Sequence, residues 1–323
     1  MTGGRWQQWL GVGGVYLFVV ALLLAGRAIS ADFWARDNLL QTVQDVSILG
    51  IVASGLAFIT YSGHFVDLSI PVQMAVAGIV AAFLLPSGLW IALLAGLVAG
   101  TLLGLLNGLV VGYLRLNPIL WTLAALALVD GITRWAYGST WKYADETTAA
   151  GQAFVGLYRA RVLGVPLTVV VFAGVALAGW FLLRHTGFGR RLKLVGAACE
   201  AARTSGVPVA RTVALAFALS GCTAALGGLL KTSLNKYGDV EIGLGYDFQA
   251  ITAVVIGGMP LAGGRGSMVG VVGGVLVIGL LGRILPLVPG VTQDHQLMVR
   301  GLLFVVVVGW SQWLLRRGGR DDQ

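Results

Sequence analysis

The sequence predicts an all-α polytopic membrane bundle of about ten transmembrane segments, some of them interrupted, with both termini cytoplasmic. Three observations predict it. Of 323 residues, 57% are hydrophobic and 11% charged, with a mean hydropathy of +0.85, where soluble domains carry about 25% charged residues. Apolar runs of about 20 residues recur along the chain, long enough to cross the hydrocarbon core as helix. Glycine is abundant, at 48 residues, and small residues let membrane helices approach closely. This balance excludes a soluble enzyme, a nucleic-acid-binding domain and a disordered chain. It also excludes an outer-membrane barrel, whose strands alternate over about 10 residues.

The spans fall at about 9–29, 42–62, 68–85, 89–113, 118–137, 165–183, 211–230, 247–262, 267–285 and 297–315. They form a single transmembrane domain over 9–315, with residues 1–8 and 316–323 as cytoplasmic ends. The first span resembles a signal peptide near Ala28-Ile29-Ser30-Ala31, but its apolar stretch is long enough for an anchor. Orientation follows from loop charge. Loop 184–211 holds Arg184, Arg190, Arg191, Lys193, Arg203 and Arg211 against one acid, Glu200; the tail adds Arg316, Arg317 and Arg320. Both belong on the cytoplasmic side, and ten spans place Arg5, Arg115 and Arg265 with them. The net charge of +8 therefore reads as basic loops and not as nucleic-acid binding. Trp6, Trp9, Trp90, Trp310 and Trp313 sit near span ends, as an interfacial belt requires. Cys199 and Cys222 fall in a basic loop and an apolar span, which argues against a disulfide. On the opposite face, loops 138–164 and 231–246 are either docking surfaces for an extracytoplasmic partner or ordinary solvated loops.

Within the spans, Gly96, Gly100, Gly104, Gly108 and Gly112 recur every four residues. Such a stripe advances about 40° per step around a helix and makes a long groove for a crossing neighbour, within the subunit or at a subunit interface. Residues 257–267, Gly-Gly-Met-Pro-Leu-Ala-Gly-Gly-Arg-Gly-Ser, interrupt two short apolar segments. Irregular backbone at membrane depth is tolerated only where protein or a water-filled cavity satisfies it, and interrupted helices recur at translocation sites. Residues 62–71 make a similar break, which suggests a degenerate internal repeat. His64 and Asp67 there are placed to cap a helix start or to line a path. Asp130 and Arg134, four apart, form a satisfied pair on one helix face. Ser54, Thr60, Tyr61, Thr122, Gln249 and Thr252 are further polar side chains within apolar runs. A path lined by such neutral groups suits an uncharged hydroxylated solute.

Catalytic signatures are absent. There is no His-Glu-x-x-His and no Gly-x-Ser-x-Gly. Residues 227–233, Gly-Gly-Leu-Leu-Lys-Thr-Ser, lack the glycine directly before lysine that a phosphate loop carries. The three histidines stand far apart in sequence, and no cluster suits a metal.

Three segments then resemble one family. Thr186-Gly187-Phe188-Gly189-Arg190, Gly196 and Glu200-Ala201-Ala202-Arg203-Thr204-Ser205-Gly206-Val207 resemble the coupling loop of ABC importer permeases of the ribose/sugar type, relatives of the branched-chain amino-acid permeases. Asp67-Leu68-Ser69 looks like that family's Asp-Leu-Ser motif, and 261–267 like its C-terminal glycine-rich stretch. Asn117-Pro118 and Thr122-Leu123 sit where the family has similar residues. The chain departs from the pattern at His64-Phe65-Val66, at Ile70-Pro71, and at Ala198, where a helix-capping Asn or Asp is usual.

The resemblance implies a transport subunit without catalytic residues, in a bacterial inner membrane, that binds no cofactor itself. ATP and Mg would sit on a partner cytoplasmic ATPase. A periplasmic or lipid-anchored solute-binding protein and a second permease subunit, identical or paralogous, complete the assembly. It assigns ATPase coupling to Gly189, Arg190, Gly196, Glu200, Ala201, Ala202, Arg203, Ser205 and Gly206. Candidates for pathway or gating roles are His64, Asp67, Ser69, Asn107, Asn117, Thr122, Gln249, Thr252 and Arg265. The expected cargo is a sugar or polyol. The alternatives are an ABC permease for branched-chain amino acids or nucleosides, an ion-coupled secondary transporter and, furthest off, an intramembrane enzyme.

Overall fold

A computed structural model of the chain describes residues 3–64, 66–138 and 140–318. The side chains expected at Arg5, Trp6, Trp9, Trp310, Trp313, Arg316 and Arg317, and residue Arg320, lie outside what is described.

Among the described residues thirteen α-helices follow in order: α1 (Gly3–Ile29), α2 (Arg36–Tyr61), α3 (Ile70–Leu84), α4 (Leu89–Leu114), α5 (Pro118–Tyr137), α6 (Ala149–Arg159), α7 (Leu167–His185), α8 (Gly187–Ala197), α9 (Cys199–Thr204), α10 (Val209–Asn235), α11 (Tyr246–Ile256), α12 (Met268–Ile284) and α13 (Gln293–Gly318). Seven of the described segments are long and apolar enough to span: α2, α3 with its 3-10 extension to Ser87, α4, α5, α7, α10 and α12. With α1, α11 and α13 they account for the ten apolar segments of the sequence.

Helix α2 is the centre. Every residue from Val46 to Tyr61 is buried, so it is apolar all round. It is flanked by α10, α12, α7 and α11. Neighbours are close because glycines remove side chains at the crossings. A Cβ on Gly104 would stand 2.5 Å from the Phe217 carbonyl, one on Gly108 2.7 Å from the Ala214 Cα, and one on Gly112 2.7 Å from the Ala210 carbonyl. The α4 stripe thus lies along α10, antiparallel, with Gly96 reaching α3. It is internal packing, not a subunit surface.

We call the end of the bundle holding residues 186–208 the lower end. At the upper end, strands β1 (Lys142–Tyr143) and β4 (Tyr237–Gly238) pair antiparallel, and Lys236 bridges to Glu146 at 3.0 Å. A small hairpin of β2 (Arg161–Val162) and β3 (Val165–Pro166) turns through Leu163 and Gly164, at φ 51° and 82°, as the tight hairpin turns with positive φ require. The sequence reads 138–164 as a loop, whether a docking surface or ordinary solvated chain. It contains α6 instead, whose Phe154, Val155 and Tyr158 are buried, Thr148 capping its start through Gly151 N–H. The apolar run of α6 is too short to register as a span. Beside it, the Thr147 hydroxyl and amide hold the Asp145 carboxyl below its usual range.

Two further expectations are corrected. The segment 247–262 is not one continuous span: α11 stops at Ile256 after 11 residues, because Gly257 and Gly258 turn the chain, Gly258 at φ +81°. Loop 231–246 is shorter than expected, since α10 continues to Asn235.

Candidate functional site

The loop 184–211 folds as a helical hairpin. Thr186 ends α7 and starts α8, its hydroxyl donating to the Leu182 carbonyl at 2.6 Å and accepting from Gly189 N–H at 3.3 Å. A side chain at Gly189 would collide with the Leu183 carbonyl. Helix α8 buries Leu192 and Val195 and presents Arg190, Arg191 and Lys193 to solvent. Helix α9 begins at Ala198 with no side-chain cap, the consequence of lacking Asn or Asp there. It ends before Gly206, at φ +79°. Ala202 is buried, and Ala201, Ser205 and Glu200 are exposed, Glu200 accepting from Arg203 at 2.8 Å. Arg115, Arg203 and Arg211 line one cleft of about 430 Å³ between α4 and this hairpin.

The hairpin meets both helix breaks where backbone lies against backbone. Gly264 N–H donates to the Tyr61 carbonyl at 2.9 Å. Gly196 has no room for a Cβ against that same carbonyl or Gly264, nor Gly263 against Gly63 N. A Cβ on Gly63 would stand 3.1 Å from the Ala262 carbonyl and 3.3 Å from Gly196 Cα. Three segments far apart in sequence, 61–63, 196–197 and 262–264, therefore share one junction. Gly63, Gly263 and Gly264 all adopt positive φ, 75°, 80° and 71°, which only glycine does at no steric cost. The two breaks that resemble each other in sequence are neighbours in space. Arg265 is exposed beside them.

From this junction the chain 62–69 rises, and α3 starts partway up the bundle, with Gln73 level with Gly100 of α4. Asp67 is fully buried there. Its Oδ1 accepts from Ser69 N–H at 2.9 Å and the Ser69 hydroxyl at 2.5 Å, its Oδ2 from Gln73 Nε2 at 2.8 Å. Asn107 Nδ2 donates to Ser69 Oγ at 2.7 Å, and Trp121 Nε1 to Asn107 Oδ1 at 3.0 Å. Leu68 N–H donates to Thr122 Oγ1 at 3.1 Å. A buried carboxylate is tolerated because three donors face it. The network ties α3, α4 and α5 together where unpaired polar groups would be costly.

The structure thus brings Asp67, Ser69, Asn107 and Thr122 together and adds Gln73 and Trp121, which sequence reasoning missed. Gln73 had a readable signal, a lone amide four residues after Ser69 in an otherwise apolar run. Trp121 stands in an apolar run where nothing in the sequence sets its indole N–H apart. The remaining candidates stand elsewhere. His64 does not cap a helix start; its Nδ1 lies 3.0 Å from the Ser62 hydroxyl, just past the end of α2. Asn117 caps α5, accepting from Ile119 and Leu120 N–H. Thr252 donates to the Phe248 carbonyl within α11, and Gln249 lines a cleft near the upper end. Residues 227–233 lie inside α10, so they form no phosphate loop.

These features define a class first: a multi-pass helical transport subunit with interrupted helices and a basic helical hairpin at one end. The chain belongs to the family described as the permease component of the branched-chain amino acid transport system, which matches residues 38–308. It is 32% identical to the ribose import permease protein RbsC of Bacillus subtilis (strain 168), over 91% of each chain. It is 33% identical to the L-arabinose transport system permease protein AraH of Escherichia coli (strain K12), over 96% of this chain and 92% of that one. Identity to the autoinducer 2 import system permease protein LsrD of Escherichia coli O9:H4 (strain HS) is 31%, over 93% and 94%. No solved structure matches.

Proposed function

We propose that this chain is the membrane-spanning subunit of a bacterial ATP-driven importer and that its cargo is a sugar or polyol. It lies in the inner membrane with the hairpin 186–208 in the cytoplasm, as its basic residues favour. A partner ATPase binds ATP and Mg, docks on the hairpin and, on closing, pushes it. A solute-binding protein delivers cargo at the upper end, and a second permease subunit completes the path. The observation that carries this reading is the backbone junction: Gly196 of the hairpin abuts both helix breaks, so a push on α8 and α9 reaches 62–69 and 257–267 without a flexible side chain between. Arg115, Arg203 and Arg211 around one cleft suit an acidic rim on the motor. The neutral polar side chains within the apolar runs, Ser54, Thr60, Thr122 and Thr252 among them, and relatives named for ribose and L-arabinose, favour a sugar over an amino acid.

The test is uptake and ATPase capture from membranes carrying the full transporter. Glu200→Lys or Arg203→Glu is expected to abolish both; if both persist, the coupling role is wrong. Uptake should survive dissipation of ion gradients while ATP is maintained, and its loss would instead identify ion coupling.

A further inference from the structure

At the upper end, the segments 138–164 and 231–246 meet around a cleft of about 250 Å³. Its polar walls are Gln44 of α2, Tyr158 and Arg159 of α6, Ser233 of α10, Arg161 of the β2–β3 hairpin, and Lys236. The walls are held in place. Gln44 Nε2 donates to the Tyr158 carbonyl at 2.7 Å. Ser233 Oγ donates to the Phe154 carbonyl at 2.7 Å and accepts from Tyr158 N–H at 3.0 Å. The charge is of one sign, since no carboxylate among the described residues lines the cleft. Asp45, next to Gln44, accepts from the Tyr158 hydroxyl at 2.9 Å and stands 3.9 Å from Arg283 Nη1. Lys236 is paired with Glu146. Arg159 and Arg161 make no ion pair or side-chain hydrogen bond to the described residues. Beside them the hairpin carries Leu163, 99% exposed, between Val162 and Val165, which are exposed too. Leu163 and Gly164 are the central pair of a turn with both φ positive, a geometry that favours Asn-Gly. A leucine there is strained, and at that exposure little within the chain offsets it.

We propose that Arg159, Arg161 and Leu163 are the docking surface for the solute-binding protein: a carboxylate of that protein enters between the two arginines, and Leu163 seats in an apolar dimple beside it. The proposal rests on the importer reading above and names the contact that holds this partner. Three observations select the occupant. The cleft stands over Gln44 of α2, the central helix, so it faces the solution above the bundle and not the acyl chains around it. Two unpaired guanidinium groups suit carboxylates, which they bind in a fixed fork geometry. A free anion would gain nothing from Leu163, whereas an apolar contact ringed by charge is the usual make-up of a protein interface. The roles divide accordingly: charge steers the encounter, and the apolar contact sets how long it lasts. Ser233 ties this surface to α10, and α10 starts below where the hairpin 186–208 ends. Docking above and motor closure below therefore act on one helix.

The test measures binding of the solute-binding protein encoded beside this chain to the whole transporter in lipid nanodiscs, with association and dissociation rates read separately. Arg159→Glu with Arg161→Glu is expected to weaken binding at least tenfold, chiefly through slower association, and to flatten its dependence on salt. Leu163→Asn creates the Asn-Gly pair that the turn prefers, so the unfolding temperature should hold or rise while dissociation speeds up about tenfold. ATP hydrolysis without binding protein should stay at the unsubstituted level in both. Unchanged affinity in either variant overturns this surface and leaves the importer reading standing. Failure of the binding protein to bind the unsubstituted transporter, or to stimulate its ATP hydrolysis, overturns that reading and this surface with it.

Discussion

Single residues decide the middle of the bundle. Asp67 satisfies three donors at a buried position, so Asp67→Ala strands them; each buried orphan costs about 1–3 kcal/mol. The expected outcome is a lower unfolding temperature of the purified protein, with Asp67→Asn milder because it still accepts from Ser69. Tyr158, on α6, is governed by pH. Burial first, and then the Asp45 carboxylate, push its phenol above the ordinary value. A raised value in the folded state means its contribution is fully present below the unfolded value of about 10 and lost as pH rises through the folded value. The stability advantage of the natural protein over Tyr158→Phe should therefore be flat through neutrality and fall only in strong alkali; a decline near pH 7 would contradict the Asp45 contact. Asp67, Ser69, Asn107 and Thr122 were legible in the sequence because polar atoms in an apolar run need partners. Asp45 and Arg283 were not, since charges near span ends read as interfacial until the fold turns them to the cleft that Gln249 lines.

Elements show what periodicity conveys and what it hides. The α4 stripe was visible as a four-residue repeat, and its geometry makes a prediction. Gly104→Leu drives atoms into the Phe217 carbonyl and Gly221, so α4 must leave α10, at about 1–3 kcal/mol or more. Gly131→Leu on α5, where a Cβ would meet nothing within 4 Å, should leave the unfolding temperature unchanged. Equal effects would mean that the close crossing is not a source of stability. At the break, Gly263→Ala suffers both a positive φ and the Gly63 backbone, and the expected result is loss of uptake with protein still inserted, measured on isolated membranes. The length of α11 was hidden because hydropathy runs on to Ala262 while helical geometry stops at Ile256. Helix α6 was hidden because 11 amphipathic residues make no span.

For the whole molecule, hydropathy was enough to find the apolar segments, and loop charge gives an orientation that awaits its test; neither says which segments touch. Orientation carries its own prediction. Cys199, half-buried at the start of α9, should resist an impermeant thiol reagent applied outside intact cells and react once the cytoplasmic face is opened. Labelling from outside would invert the molecule and remove the ATPase from the hairpin. The meeting of 61–63, 196–197 and 262–264 has one more consequence. A joint built from main chain offers mutation nothing to trim and no space to add to, so variants that accept a different cargo must arise at a distance from it. Steric crowding fixes this joint, while positions away from it are free to be refitted.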